Sequence, residues 1–294
     1  MAQRLFNSSL APKTHRAYNL ALQSLEKFRL STSRPRTWPV PRSHVRAFLA
    51  FLASKQCSPS TASTYISAIS FIHNSKSWPD PTKDFTTTKM LKGFKRLYSR
   101  PDSRAPITLD HLQLIIFNIP VVSNNPWETS LFKAAFLTCF FGLLRVSELS
   151  APNKHSPSPL LVEHISFDVN LCLSLLITKS KTDQFKKGHL IKLHPTNHPV
   201  LCPCQALHNF LHEFRQHRPG PLFMHPDHSP LTSYQFSSVL RKSASAAGLP
   251  TQNISSHSMR IGACSLAAAL GLQVKEIKRL GRWSSRAFTS YIRV

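Results

Sequence analysis

Glycine is scarce in this chain, 8 residues in 294. None of them forms a phosphate-cradling loop, which argues against a nucleotide-driven motor. Acidic residues are also few, 13 Asp plus Glu, and none cluster at metal-ligand spacing. A two-metal nuclease or polymerase site would be hard to assemble from so small a stock. Six cysteines are too sparse for a disulfide framework and read as reduced intracellular thiols. Long hydrophobic runs are missing. The longest, Ala134 to Leu144, is broken by Thr138 and Gly142, and falls well short of the roughly 20 apolar residues a membrane span needs. Met1 to Phe6 carry no apolar core of signal-peptide length. Neither an integral membrane protein nor a secreted one is expected.

What is abundant is positive charge. Lys plus Arg number 37, and the formal net charge is +24. Residues 1–106 hold 18 basic and 4 acidic groups, net +14, and residues 107–294 hold 19 and 9, net +10. Such a surplus is costly self-repulsion unless a polyanion is near, and nucleic acid is the usual partner because phosphate neutralisation releases counterions. Two positive lobes suggest a clamp around a duplex; an anionic membrane surface or a ribosomal-type RNA contact is the blander alternative. Hydrophobic residues make up 41% of the chain, enough for a real core.

The first third reads as short amphipathic helices. Over Lys13–Leu30 the residues Tyr18, Ala21, Leu22, Leu25 and Phe28 fall on one helical face. Past Pro39 and Pro41, Ser43 is a candidate cap for a helix burying Val45, Phe48, Leu49 and Leu52. Ser60 is a candidate cap for the next, with Ala62, Ile66, Ile69 and Ile72 inward. A fourth runs through Met90, Leu91, Phe94 and Leu97, and its polar face carries Lys89, Lys92, Lys95 and Arg96. That face is either simply solvated or turned toward DNA. The Pro-rich, charged stretch from Ser99 to Pro106 reads as a linker. Thr108 caps a new helix, and a long apolar helix spans roughly Glu128–Leu144. Two β-rich runs follow, Leu171–Thr178 and Gly188–Leu193. Helices then cover roughly Pro203–Arg215, Ser233–Ala247, Ser256–Leu270 and Gln273–Leu280, with a short one from Ser284. Gly271 and Gly281 stand where helix C-caps are expected.

If such a chain cuts DNA, it does so without Mg²⁺. It then needs a protein nucleophile, donors for the non-bridging phosphate oxygens and an acid for the leaving oxygen. The second half holds candidates. His257 and Arg260 are i and i+3 near a helix N-terminus, where donors and dipole together favour an anion. Arg145 follows the apolar helix, and Glu148 three residues on can orient its guanidinium. Trp283 is followed eight residues later by Tyr291.

The ordered set Leu144-Arg145-Val146-Ser147-Glu148-Leu149, His257-Ser258-Met259-Arg260, Leu280-Gly281-Arg282-Trp283 and Tyr291-Ile292-Arg293 resembles the tyrosine recombinase (phage integrase) family. The Ser60–Tyr65 stretch is similar to that family's helical core-binding domain, and Ala105–Thr108 falls where the family changes domain. The resemblance covers nearly the whole chain, and its Ser-, Pro- and His-rich flavour is similar to recombinases of eukaryotic mobile elements. It implies a mainly α, two-domain protein: a SAM-like core-binding domain over 1–100, a linker over 101–107 and an α+β catalytic domain over 108–294 with a small β-sheet. It implies a site-specific recombinase or integrase that cleaves and rejoins double-stranded DNA as a homodimer or homotetramer, with no cofactor. The location would be intracellular, and nuclear in a eukaryote.

By the same resemblance, Arg145 and Arg260 are the phosphate clamp and His257 a hydrogen-bonding or acid–base member. Trp283 donates an indole N–H, and Tyr291 is the nucleophile that leaves a 3′-phosphotyrosyl bond and a free 5′-hydroxyl. Lys181, with Lys179 as competitor, is the acid on the hairpin, and Glu148 supports Arg145. The chain stops at Val294, three residues past Tyr291, where family members continue into a further docking helix; this bears on assembly more than on the site. Two rival readings stay open: an inactive, domesticated DNA-binding protein derived from a recombinase, and a type IB topoisomerase-like enzyme. Cys202, Cys204, His208 and His212 give C-x-C-x₃-H-x₃-H, tighter than usual zinc spacing, and are read as a turn into a helix bearing surface histidines, with no metal.

Overall fold

The computed structural model describes residues 1–178, 180, 187–216 and 218–293. The chain divides into two compact units, Met1–Asp102 and Ser103–Val294. The first is helical: α1 (Ala2–Ser8), α2 (Pro12–Ser31), α3 (Arg42–Ser54), α4 (Pro59–Ser75) and α5 (Phe85–Tyr98). Its core gathers Leu25 and Phe28 of α2, Val45, Phe48 and Leu49 of α3, and Ile66 of α4. The helical periodicity of these apolar residues is what makes one face of each helix buriable.

Two capping expectations are corrected. Ser43 caps nothing; α3 starts one residue after Pro41, and no side chain caps it. Ser58, not Ser60, caps α4, its hydroxyl accepting the Thr61 N–H at 3.1 Å. Ser58-Pro59-Ser60 offers two possible caps, and proline at the first helical position, where its missing N–H costs nothing, selects the earlier one. Asp84 caps α5 by accepting the N–H groups of Thr86 and Thr87 and also pairs with Arg46 at 2.8 Å. Leu97, expected inward, is 79% exposed.

The second unit packs around α8 (Pro126–Phe141), after α6 (Leu109–Phe117) and α7 (Ile119–Val122). Thr108 caps α6 as expected, accepting the His111 N–H. Leu131, Phe132, Phe136, Leu137 and Phe140 of α8 are all buried, so from Leu131 on the helix is almost wholly apolar because it is enclosed there. The short α9 (Val146–Leu149) follows. The sheet is antiparallel, in the order β1 (Ile165–Phe167), β2 (Leu173–Ile177), β3 (His189–Leu193), with Leu175 opposite both Ile165 and Ile191. Leu173, Leu175 and Ile177 face the core in alternation. Sequence periodicity missed β1, whose three residues are too short to show a period.

α10 (Pro203–Asn209) runs into a π-helical turn, Phe210–Arg215. Then come α11 (Ser233–Ala246), α12 (Ser256–Ala269), α13 (Val274–Gly281) and a 3₁₀ helix, Arg286–Tyr291. The Ala105 and Ile107 N–H groups donate to the Asn253 and Ser258 carbonyls, which lays this segment against the start of α12. The approach is so close that a Cβ on Gly262 would lie 1.8 Å from the Ile107 carbonyl oxygen. No described helix is long and apolar enough to cross a membrane.

Candidate active site

The site begins where α8 stops. Gly142 ends the helix and Leu143 takes a left-handed φ of 44°, a conformation that a branched residue adopts only when its surroundings enforce it. The Leu144 N–H closes the turn on the Cys139 carbonyl at 2.9 Å. Arg145 is thus not carried on the end of the buried helix, as its sequence position suggested. It is the extended residue immediately before α9, with φ −78° and ψ 143°.

Glu148, 1% exposed, reaches back to that residue. Its Oε2 accepts the Arg145 backbone N–H at 2.9 Å and its Oε1 the Arg145 Nη1 at 2.7 Å. The Arg145 side chain keeps 16% of its surface exposed, so it is held yet reachable. Burial pushes the Glu148 carboxyl up, but Arg282, the Arg145 N–H and the Arg145 guanidinium together outweigh it and hold the group below the usual carboxylate range.

Arg260 comes from the second turn of α12 and is buried. Its terminal nitrogens donate to the Leu143 and Gly281 carbonyls. The Trp283 ring covers its guanidinium at 4.2 Å, and the Tyr291 ring lies 5.6 Å from the same carbon. Burial first, then Arg145 and Arg282, push Arg260 down to about 10, so it stays cationic at neutral pH. Its Nε is buried without a hydrogen-bond partner among the described residues.

Tyr291 closes the 3₁₀ helix and lies half-buried beside Trp283, ring centroids 5.3 Å apart. The Ser265 hydroxyl of α12 donates to the Tyr291 carbonyl at 3.3 Å and accepts the Arg293 N–H at 2.8 Å. The backbone that carries the phenol is therefore tied to the helix that carries Arg260.

Of the residues singled out from sequence, Arg145, Glu148, Arg260, Trp283 and Tyr291 meet here. His257 lies one turn before Arg260 on α12 and is exposed, whereas Arg260 is buried. Lys181 and its competitor Lys179 lie outside the described residues; in sequence they fall between β2 and β3. Lys89, Lys92, Lys95 and Arg96 are exposed on α5 of the first unit.

Two participants were missed. Ser265 gave no signal, being one small residue among many on an apolar helix. Arg282 stands next to Trp283, and the pattern that singles out Trp283 gives it no signal of its own. Cys202 starts α10 with its Sγ accepting the Gln205 N–H, and the His208 and His212 rings stack 5.9 Å apart. No group of three or more His, Cys, Asp or Glu among the described residues is arranged to hold a metal.

Residues 3–75 match the family described as phage integrase, N-terminal SAM-like domain. The whole chain is similar to a lambda integrase dimer bound to a COC′ core site, at 17% identity and a TM-score of 0.64 over 98% of this chain and 91% of that one. It is similar to the Tn1549 transposon integrase in complex with circular intermediate DNA, at 16% identity and TM-score 0.64 over 100% and 93%. A lambda integrase tetramer bound to a Holliday junction matches at 14% identity and TM-score 0.63 over 97% and 72%. The chain has the tyrosine recombinase fold. No curated protein matches it in sequence.

Proposed function

We propose that this chain is a site-specific DNA recombinase or integrase working through a 3′-phosphotyrosyl intermediate, with residues 1–100 as core-binding domain, 101–107 as linker and 108–294 as catalytic domain. The observation that carries the reading is the Tyr291 ring 5.6 Å from the Arg260 guanidinium, in a site that also holds Arg145. In this reading Arg145 and Arg260 neutralise the non-bridging oxygens of the scissile phosphate. One such donor supplies roughly 10²- to 10³-fold in rate. The Tyr291 oxygen attacks phosphorus and yields its proton, with His257 as acid–base or hydrogen-bonding partner. The bond to the 5′-oxygen breaks, and Lys181 protonates that leaving oxygen. Trp283 supports Arg260 by lying over its face and offers an indole N–H.

The ester keeps the energy of the broken bond, so attack by a 5′-hydroxyl of another strand reseals the DNA without ATP. With only 13 acidic residues in the chain, the charge is met by arginine, and cleavage should persist in EDTA. Lambda integrase crystallised as a dimer on a core site and as a tetramer on a Holliday junction supports an assembly of two or four copies on DNA. Lys89, Lys92, Lys95 and Arg96 would track the phosphate backbone.

The test is trapping. A target site is first recovered by binding selection from random duplexes, then nicked beside the cleavage position so that religation fails. Wild-type protein should form a denaturant-resistant protein–DNA adduct, and Tyr291→Phe should form none. An adduct that survives in Tyr291→Phe would remove the nucleophile assignment. Binding without any adduct would favour a DNA-binding module, and relaxation of supercoils by monomer a topoisomerase.

A further inference from the structure

Arg282 has no part in the mechanism above, yet its surroundings are unusual. It adopts a left-handed φ of 56° just after α13, although Gly281 beside it could have taken that conformation more cheaply. Its side chain is 4% exposed. Nη1 donates to the Gly142 and Leu280 carbonyls, both at 3.2 Å, and Nη2 donates to the Leu143 carbonyl at 3.0 Å and to Glu148 Oε2 at 2.8 Å. Glu148 therefore bridges Arg282 to Arg145. The Leu143 carbonyl, in turn, is shared between Arg282 and Arg260. One intermediary group links Arg282 to each arginine of the phosphate clamp.

We propose that Arg282 is a positioning residue for both clamp arginines. Through Glu148 it fixes the carboxylate that aims Arg145, and through the Leu143 carbonyl it fixes the strained turn onto which Arg260 is bonded. The backbone strain at Arg282 fits such a role, since unfavourable conformations persist where the surrounding structure enforces them. Leu143 is left-handed as well, and the two strained residues face each other across one hydrogen bond. The carboxylate has little freedom to reorient: Arg145 holds one oxygen, and the Arg145 N–H and Arg282 hold the other. Without Arg282, one oxygen of Glu148 loses its guanidinium, the carboxylate can rotate, and Arg145 rotates with it.

The proposal rests on the recombinase reading, and two measurements separate its fate from that reading's. Single-turnover cleavage is measured for wild type, Arg282→Gln, Glu148→Gln and the double variant, on a phosphodiester and on a neutral methylphosphonate at the scissile position. On the phosphodiester, Arg282→Gln should slow cleavage roughly 10- to 100-fold, the scale of a misplaced catalytic group. The double variant should fall short of additivity, because the path through Glu148 is already lost in Glu148→Gln and only the path through the Leu143 carbonyl remains to be lost. On the methylphosphonate, whose missing charge needs no clamp, the Arg282→Gln deficit should shrink to about 3-fold or less. A role confined to stability would depress both substrates alike, and that outcome, or additive effects in the double variant, overturns the proposal. The second measurement needs no activity. A crystal structure of Arg282→Gln should show the Glu148 carboxylate rotated and the Arg145 guanidinium carried from its place with it. If the guanidinium stays within about 0.5 Å of its place, the proposal fails, whatever the adduct assay says of the recombinase reading.

Discussion

Glu148 is a single carboxylate set between two guanidiniums, Arg145 at 2.7 Å and Arg282 at 2.8 Å. A buried charge that loses its partner costs more than the pair contributes, because the survivor stays desolvated. Glu148→Gln leaves both arginines without a counter-charge. It should destabilise the protein by about 3–5 kcal/mol at pH 7, measured by denaturant unfolding. The pH dependence follows from the depressed pKa in the fold. Such a carboxylate contributes its full stability above the unfolded value, ordinarily about 4.3, and loses it as pH falls through the lower folded value. The difference between wild type and Glu148→Gln should therefore be constant from pH 7 to about pH 5 and narrow in more acid solution. A difference that widens with acid would mean the pairing stabilises the neutral form instead. That Arg145 and Glu148 belong together was legible from their spacing of three. Arg282 was not, because its relation to Glu148 is a contact across 134 positions that no local pattern encodes.

Among the elements, the helices were legible because burial of one face imposes a period, and their ends were less so because capping has near-equivalent solutions one or two residues apart. The end of α13 is instructive. Gly281 followed by a polar residue suggests a glycine C-cap, yet the left-handed residue is Arg282. The glycine serves packing instead: a Cβ there would fall 1.7 Å from the Trp283 ring. That ring is in turn stacked on Arg260. Gly281→Ala should thus do more than strain a helix end. It should displace Trp283, cost about 1–3 kcal/mol as an overpacked core position does, and uncover Arg260. Trp283 fluorescence, read with the chain's other tryptophans replaced by Phe, should shift to the red as the indole leaves its buried place. An unshifted spectrum with unchanged stability would show that the ring has room to yield. Gly262 follows the same logic at the other end of the site, where the Ile107 backbone lies against α12. In both cases a backbone or ring from elsewhere fills the space a side chain would take, which sequence alone cannot reveal.

For the molecule as a whole, the net charge of +24 sets an expectation about binding that is independent of catalysis. Each cation that neutralises a DNA phosphate contributes roughly 0.9 to the slope of log affinity against log salt. Lys89, Lys92, Lys95 and Arg96 are exposed on α5, in the unit with the denser charge. The buried face of that helix carries Thr87 and Phe94, so replacing the four cations removes charge and leaves packing intact. The quadruple Gln variant should lose about 3 to 4 from the salt slope if all four meet phosphates. Its affinity should weaken most at low salt, where counterion release counts for most. Cleavage of DNA already bound should be nearly unchanged, since none of the four belongs to the unit that carries Arg260 and Tyr291. Fluorescence anisotropy between 50 and 200 mM salt measures the slope, and single-turnover cleavage at saturating protein measures the rest. An unaltered slope would make α5 a solvated face and move the DNA contact of this unit to other cations. A large fall in cleavage at saturation would mean that the helix shapes the active site, and that binding and chemistry are not divided between the units as their charge and residues suggest.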